Sequence, residues 1–220
     1  MEITWYGHCA FRVGDRGRYV LMDPYGPEMG RELGKKAAEV VTISRDDPAH
    51  NYSRLASGRT YVISGPGEYE IAGVFITGIA TNGDADPQER GRNTAYVVEF
   101  DEFVLCHLGA MSRVPNQEQI EELGELADID ILMVPVGGRT VLTAARAVEV
   151  VALLEPNLVL PMHYKVRGLA TEGDTATRFL RQMAVEEPET SLCPTPDTLR
   201  ITSRSQLPEQ TGVVLLEVSQ

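Results

Sequence analysis

The chain has 220 residues, of which 43% are hydrophobic, and its 32 acidic and 20 basic side chains give a formal net charge of -12. This composition predicts a single folded domain over 1–220 with a substantial hydrophobic core. The negative charge argues against non-specific binding to nucleic acid or to anionic membranes, because both require a basic surface. We therefore expect neither as a partner.

The first residues enter a predicted strand at once, without the basic and apolar regions of a signal peptide. Since no apolar run approaches the length needed to span a bilayer, we expect a cytoplasmic protein. The three cysteines, Cys9, Cys106 and Cys193, are odd in number and lack CxxC spacing. They predict buried free thiols in place of a disulfide framework or a thiolate zinc site.

Short runs rich in β-branched and aromatic residues, separated by Gly, Asp or Pro, predict strands through the first half of the chain. These runs occupy 3–6, 10–13, 19–22, 40–43, 60–63, 74–79, 95–100 and 103–106. In the second half, predicted helices at 117–126, 141–154 and 175–184 alternate with strands at 131–135 and 158–161, and strands near 199–202 and 213–218 close the chain. Thr140 can cap the middle helix. This order predicts two sheets packed face to face with helices outside.

One turn is laid out like a metal-binding loop. The apolar run 40–43 leads into the polar segment 45–50, where Pro48 predicts the first turn of a helix. This arrangement resembles the HxHxDH segment of the metallo-β-lactamase superfamily. Further segments resemble other motifs of that superfamily, in the expected order, at 3–11, 20–25, 65–71, 90–94, 106–109, 135–138 and 161–164.

The first two of these segments look like the branch that includes the ascorbate-phosphate lactonases, and 65–71 is similar to a signature of a smaller bacterial group within it. The resemblance implies an α/β fold, a four-layer αββα sandwich of two mixed β-sheets flanked by helices. It also implies chemistry in which two metal ions, held by imidazoles and carboxylates, activate a water that attacks an ester, lactone, amide or phosphoester.

Most of the implied metal ligands are replaced in this chain. The four HxHxDH positions read Arg45, Asp47, Ala49 and His50. The histidine of the third motif falls on Asn82 or Gly83, the bridging aspartate is Ala110, and the last histidine is His163. The resemblance therefore implies a degenerate metal site whose remnant candidates are Asp47, His50 and His163.

All four histidines of the chain lie in motifs that the implied fold brings toward one cleft, so a pocket of imidazoles can persist after the metals are lost. Arg45 is expected to stand in for the lost cation, because a guanidinium repels a dication and pairs with nearby carboxylates. The predicted cleft residues are His8, Asp23, Arg45, Asp46, Asn82, His107 and Ala110.

Two functions stay open. One is a non-catalytic ligand-binding or interaction protein that holds no cofactor and takes a small anionic molecule. The other is a hydrolase of a small ester, lactone or phosphoester, with one zinc or manganese ion at a mononuclear or rebuilt site. Counting the surviving ligands favours the metal-free protein, with far less than one equivalent of metal. Whether the chain forms a homo-oligomer is left open.

Overall fold

The computed structural model describes residues 1–15, 17–82, 92–125 and 128–219. The strands are β1 (Glu2–Gly7), β2 (Ala10–Asp15), β3 (Arg18–Met22), β4 (Lys36–Ala37), β5 (Val40–Ile43), β6 (Ala56–Ser57), β7 (Tyr61–Ser64), β8 (Gly67–Ile71), β9 (Val74–Asn82), β10 (Asn93–Phe100), β11 (Phe103–His107), β12 (Ile131–Pro135), β13 (Leu158–Met162), β14 (Thr198–Arg200) and β15 (Gly212–Val213). The α-helices are α1 (Gln117–Glu125), α2 (Ala144–Leu154) and α3 (Ala176–Gln182).

The strands form two large mixed sheets. The first has the order β14-β1-β2-β3-β5-β7, antiparallel from β14 to β3 and parallel from β3 to β7. The second has the order β15-β13-β12-β11-β10-β9-β8, parallel from β15 to β11 and antiparallel beyond. Strands β4 and β6 form a separate pair. This architecture confirms the predicted α/β fold class with two mixed sheets.

Side chains of the first sheet alternate between two hydrophobic clusters, as the two-residue period of a strand requires. Ile3 and Trp5 belong to the large cluster shared with the second sheet, whereas Tyr6 and Leu21 belong to a smaller cluster on the opposite face. Helix α1 packs against β9, and α2 packs against β12 and α3. The smaller cluster is closed by 3-10 turns such as Pro27–Met29, in place of α-helices.

The prediction of a helix that begins at Pro48 is wrong. Residues 48–50 form a single turn, in which the backbone oxygen of Asp47 accepts hydrogen bonds from the amides of His50 and Asn51. The amide of Tyr52 then donates to the oxygen of Pro24, which draws the chain away from a helical path. A 3-10 helix at Ser53–Leu55 follows.

Helix α2 starts later than predicted, because Thr143 and not Thr140 accepts the capping hydrogen bond from the amide of Arg146 at 3.4 Å. The closing strand β15 is also shorter than the predicted 213–218. In the described part of the chain, no helix combines the length and apolarity needed to cross a membrane.

Candidate metal centre

The predicted cleft residues come from the carboxyl ends of parallel strands in both sheets. Asp23 follows β3, Arg45 follows β5, His107 ends β11 and His163 follows β13. His8 comes from the tight connection between β1 and β2. Since the carboxyl ends of parallel strands lie at one edge of a sheet, two facing sheets bring these side chains together.

Three residues of this site hold a left-handed backbone that non-glycine residues adopt rarely. The φ angles are 52° at His8, 43° at Asp23 and 51° at His163. The amide of His163 donates to the carbonyl oxygen of His8 at 3.0 Å, and this bond joins the two sheets directly at the site. Backbone conformations of this kind cost about 1–3 kcal/mol each and concentrate at functional sites.

A hydrogen-bonded series runs through the buried site from Asp23 to Thr171. Nδ1 of His50 donates to Oδ2 of Asp23 at 2.8 Å, and Nε2 of His50 lies 3.3 Å from Nε2 of His8. Nδ1 of His8 lies 3.0 Å from Oγ1 of Thr171. Asp23 also accepts from the Ser44 amide at 2.7 Å and from the Ser44 hydroxyl. Both histidines therefore have fixed rings, with their Nε2 atoms turned toward each other.

His163 and Cys9 complete a buried cluster with these two histidines. The potential ligand atoms of His8, Cys9, His50 and His163 all lie within 4.8 Å of one another. The ring centroids of His8 and His163 are 4.0 Å apart. Among the described residues, Nδ1 of His163 is a buried polar atom without a hydrogen-bond partner. Such an atom is costly to bury and calls for an explanation, of which a metal ion is one.

Burial sets the protonation of the cluster. It lowers the pKa of His8 well below the usual value, helped by the neighbouring His163, His50 and Arg45. Burial and the neighbouring His50 lower the pKa of His163 to about 3. Burial alone would raise the pKa of Asp23, but His50 and the Ser44 hydrogen bond outweigh it and the pKa is lowered. His8 and His163 are therefore neutral at pH 7, which is the form that binds metals.

Cys9 lies in the cluster as a thiol. Its Sγ donates to the carbonyl oxygen of Gly109 at 3.6 Å. Burial, with a smaller contribution from Asp23, raises the pKa of Cys9 well above its usual value. Because only the thiolate is a strong metal ligand, Cys9 is a weaker candidate than the three imidazoles.

His107 has a structural role. Its Nε2 donates to the carbonyl oxygen of Cys9 at 2.9 Å, and its Nδ1 accepts from the Gly109 amide at 3.3 Å. Both ring nitrogens are thus occupied, and His107 holds the backbone of Cys9. Gly109 is required here, since a Cβ would lie 2.4 Å from Cβ of Ser44 and 2.7 Å from Oδ1 of Asn93. The packing is too close for any side chain.

Arg45 reaches across to the position of the implied bridging aspartate. Its Nη2 donates to the carbonyl oxygen of Ala110 at 3.1 Å. Asp46 and Asp47, expected beside it, are exposed and accept hydrogen bonds from Nδ2 of Asn51 and from the amide of Ala49. Asp47, a predicted remnant ligand, therefore lies outside the cluster, because its side chain closes the 48–50 turn.

Asn82 ends β9, but its side chain lies outside the described residues, as does the alternative position Gly83. The remaining predicted cleft residues fall into two groups. His8, Asp23, His50 and His163 form the buried centre, and Arg45 and Ala110 lie beside it.

The cluster fits one metal ion and not the two of the implied dinuclear site. A tetrahedral zinc with bonds of about 2.0–2.1 Å separates its nitrogen ligands by about 3.3 Å, and the Nε2 atoms of His8 and His50 have this separation. Neutral imidazoles are also donors that zinc prefers. Among the described residues at the implied positions of a second metal, Arg45 and Ala110 carry side chains that are not ordinary metal ligands.

Sequence reasoning overlooked two members of this site. Cys9 was expected only as a buried thiol, and Thr171 belonged to no motif. The adjacent pair His8-Cys9 in a tight turn is a signal that could have identified the cluster, since both residue types bind zinc. Nothing in the sequence indicates that Thr171 reaches a histidine 163 positions away.

The chain matches the family model of the beta-lactamase superfamily domain over residues 2–163. A UPF0173 metal-dependent hydrolase of Pyrococcus horikoshii is 33% identical over 194 residues, which cover 74% of this chain and 84% of the relative. A UPF0173 protein of Pyrococcus abyssi is 26% identical over 207 residues, which cover 83% of this chain and 90% of the relative. The resemblance of 65–71 to a bacterial group is not confirmed by these two relatives, which are archaeal.

Solved structures show a similarity to the same superfamily. A crystal structure from Thermotoga maritima, of a proposed Zn-dependent hydrolase of the metallo-β-lactamase superfamily, is 32% identical with a TM-score of 0.80 and covers 99% of each chain. The metallo hydrolase Igni18 from Ignicoccus hospitalis shares the fold, with a TM-score of 0.64 at 19% identity over 91% of this chain and 99% of its own. The chain is thus similar along most of its length to proteins named as metal-dependent hydrolases.

Proposed function

Because the chain belongs to the metallo-β-lactamase superfamily, we propose that it is a metal-dependent hydrolase with one rebuilt zinc site. Its ligands are His8, His50 and His163, only two of which occupy superfamily ligand positions. The observation that carries the proposal is their convergence, since the potential ligand atoms of the buried cluster lie within 4.8 Å of one another. Three imidazoles with an open fourth position are a known ligand set of catalytic zinc.

Two further residues support this site by orienting the ligands. Asp23 accepts a hydrogen bond from Nδ1 of His50, and Thr171 contacts Nδ1 of His8. The Nε2 atom of each ring is therefore left to face the centre. Partners of this kind fix the ring and the tautomer of a metal-binding histidine and strengthen its binding. The same pattern favours zinc over manganese, which prefers oxygen ligands.

When bound, zinc supplies a Lewis acid that polarises a carbonyl or phosphoryl oxygen and activates water. The chain's own residues do the rest. His8, His50 and His163 would hold the ion, while the thiol of Cys9 donates its hydrogen bond to the carbonyl oxygen of Gly109 and would not act as a ligand. Arg45, beside the cluster, adds a permanent positive charge that stabilises negative charge developing on the substrate. The substrate class that we propose is a small ester, lactone or phosphoester.

A non-catalytic ligand-binding role, expected from the lost motif, gains no support from the similar proteins, which are named as hydrolases. That expectation counted ligands only at superfamily positions and so omitted His8. A metal-free ligand-binding protein is therefore the second candidate function.

The test is hydrolysis by protein purified without an affinity tag, stripped with chelator and reloaded with one equivalent of zinc. A panel of simple esters, lactones and phosphoesters should include at least one that the zinc-loaded protein cleaves and the stripped protein does not. His163→Gln should abolish that activity, whereas Asp47→Asn, in an exposed side chain of the same edge, should preserve it. Equal rates with and without zinc, or an unaffected His163→Gln protein, would reject the proposal.

A further inference from the structure

A cavity of about 830 Å³ opens beside the metal centre, where β5 of the first sheet meets β10 of the second. Its size is within the range of about 300–1,000 Å³ that small-molecule sites occupy. The residues that bear on its chemistry are Ser44, Arg45, Asp46, Asn51, Gly65 and Arg92.

The lining carries positive charge although the whole chain is acidic. Among the described residues that line the cavity, Arg45 and Arg92 carry guanidinium groups and Asp46 carries the one carboxylate. The carboxylate of Asp46 already accepts a hydrogen bond from Nδ2 of Asn51 at 2.7 Å. With a net charge of -12 over the whole chain, the molecule repels anions from most of its surface, so a cavity whose described lining has an excess of guanidinium is a selective place for one.

Arg45 is held in place by a rigid wall. The Ala110 peptide is fixed at both ends, since its amide donates to Oδ1 of Asn93 at 2.7 Å and its oxygen accepts from Nη2 of Arg45. Asn93 is in turn buried and donates to the hydroxyl of Thr81 and the oxygen of Leu108. A guanidinium positioned in this way loses little entropy when it binds an oxyanion.

A second wall is equally fixed. The hydroxyl of Tyr96 accepts from the amide of Gly65 at 3.0 Å and donates to the oxygen of Ile43 at 2.8 Å. One side chain of the second sheet thereby pins two strand ends of the first. The cavity keeps its shape before any ligand arrives.

Two residues that line the cavity, Ser44 and Arg45, also act on the metal centre. Ser44 lines the cavity and bonds Asp23, which holds His50. Arg45 lines the cavity as well, and its charge contributes to the lowered pKa of His8 and His163. The cavity is thus linked to the histidine cluster through Ser44 and Arg45, although none of the clustered histidines lines it.

We propose that this cavity binds an oxyanion group of the substrate, with the guanidinium of Arg45 as its main contact and Arg92 at the outer rim. The inference rests on the proposed function for the reaction at the neighbouring centre, but the oxyanion contact itself requires no metal. Arg45 occupies a position where the superfamily motif has a metal ligand. In this chain a guanidinium, in place of a metal ion, would bind the negative charge of the substrate. Carboxylate and phosphate are the groups that the two-nitrogen fork of arginine matches.

Titration calorimetry with the zinc-stripped protein tests this inference, using inorganic phosphate and malonate as probes at constant ionic strength. We expect saturable binding of at least one probe, and a preference between them names the substrate's oxyanion. Arg45→Gln should weaken that binding by about tenfold or more, the loss expected for a hydrogen-bonded charge. Arg178→Gln, in an exposed arginine paired with Asp174, should bind like the wild type.

Two further variants protect the test against misfolding. Arg45→Lys keeps the charge but loses the planar fork, and Arg92→Gln changes an exposed side chain, so both should fold and bind more weakly. Wild-type affinity in both, or no saturable binding of either probe to the wild type, would overturn the inference. Since the zinc-stripped protein is used, these results do not depend on metal content, and a failed zinc site and a failed oxyanion site can be told apart.

Discussion

The Nε2 atoms of His8 and His50 lie 3.3 Å apart inside the protein. Nδ1 of His50 donates a hydrogen bond to Asp23, so the neutral form of His50 presents the lone pair of Nε2 to His8. Two lone pairs at this distance repel, so either a proton on His8 or a cation between the rings must occupy the gap. A zinc ion held by both Nε2 atoms would fill the gap, and the Nδ1 proton of His8 would then be donated to Thr171.

Thr171→Val should weaken zinc binding by about 10- to 100-fold, the usual effect of removing an outer partner of a metal-binding histidine. The change keeps the volume of the side chain and removes only the hydroxyl that contacts Nδ1 of His8. Competition with a fluorescent zinc chelator measures the affinity. Thr140→Val, at an exposed threonine, is the control and should bind zinc normally. Unchanged affinity in Thr171→Val would show that His8 is not a ligand.

Cys9→Ser should retain zinc, because we assign the three imidazoles as ligands and leave Sγ on the oxygen of Gly109. Cobalt substitution provides the measurement, since a thiolate ligand gives a charge-transfer absorption that imidazoles do not. We expect the wild-type and Cys9→Ser proteins to have the same cobalt spectrum. A charge-transfer band that disappears in Cys9→Ser would make Cys9 the fourth ligand and close the site to substrate.

Asp23→Ala should reduce the free energy of unfolding by about 1–3 kcal/mol for each buried donor that it leaves without an acceptor. Asp23 is fully buried and accepts from His50 and from both donors of Ser44. Urea denaturation of the zinc-stripped protein measures the change. Asp47→Ala removes one exposed bond to the Ala49 amide and should cost about 1 kcal/mol or less. Similar losses in the two variants would contradict the central role of Asp23.

The zinc-stripped protein should lose stability as the pH falls from about 6.5, the unfolded value for histidine. The pKa values of His8 and His163 are lowered, to about 3 for the latter. The unfolded chain therefore binds more protons than the folded chain once the pH falls below about 6.5. Asp23 acts in another window, since its lowered pKa gives stability that is lost only as the pH falls below about 4.

Thermal melting between pH 4.5 and 7.5 isolates the histidine contribution. His163→Gln removes one of the three histidines whose pKa burial lowers, His8, His107 and His163, and should melt with a shallower dependence on pH. A flat profile in the zinc-stripped wild type would show that none of these imidazoles is held neutral by burial.

The fold was predictable because two periodic signals in the sequence agree with the packing. Alternation in 3–6 and 19–22 separates the two clusters, and the alternating second half gives the helices of the second sheet. Strand β8 was missed, since Gly67 to Ile71 is mostly exposed and its only apolar side chains, Tyr69 and Ile71, are half-buried against the large cluster. The helix at Pro48 failed because a local bond of Asp47 and a distant bond of Tyr52 outweigh the preference of proline for a helix start.

The site was predictable only in part. Motif order predicted that Asp23, His50 and His163 lie at one edge, where the structure has them, but whether ligands converge depends on distances that the sequence does not contain. His8 is a ligand candidate because its Nε2 atom lies opposite that of His50, and no sequence motif indicates this proximity. Asp47 lost its candidacy because its side chain turns outward to its own loop.

The most direct measurement is the zinc content of untagged protein by elemental analysis, after incubation with excess zinc and extensive dialysis. The proposed site predicts about one equivalent in the wild type and in Asp47→Asn, and a large loss in His163→Gln. Zinc far below one equivalent in the wild type would contradict the rebuilt centre and favour a metal-free histidine network. One equivalent that persists in His163→Gln would place the metal somewhere other than the cluster of His8, His50 and His163.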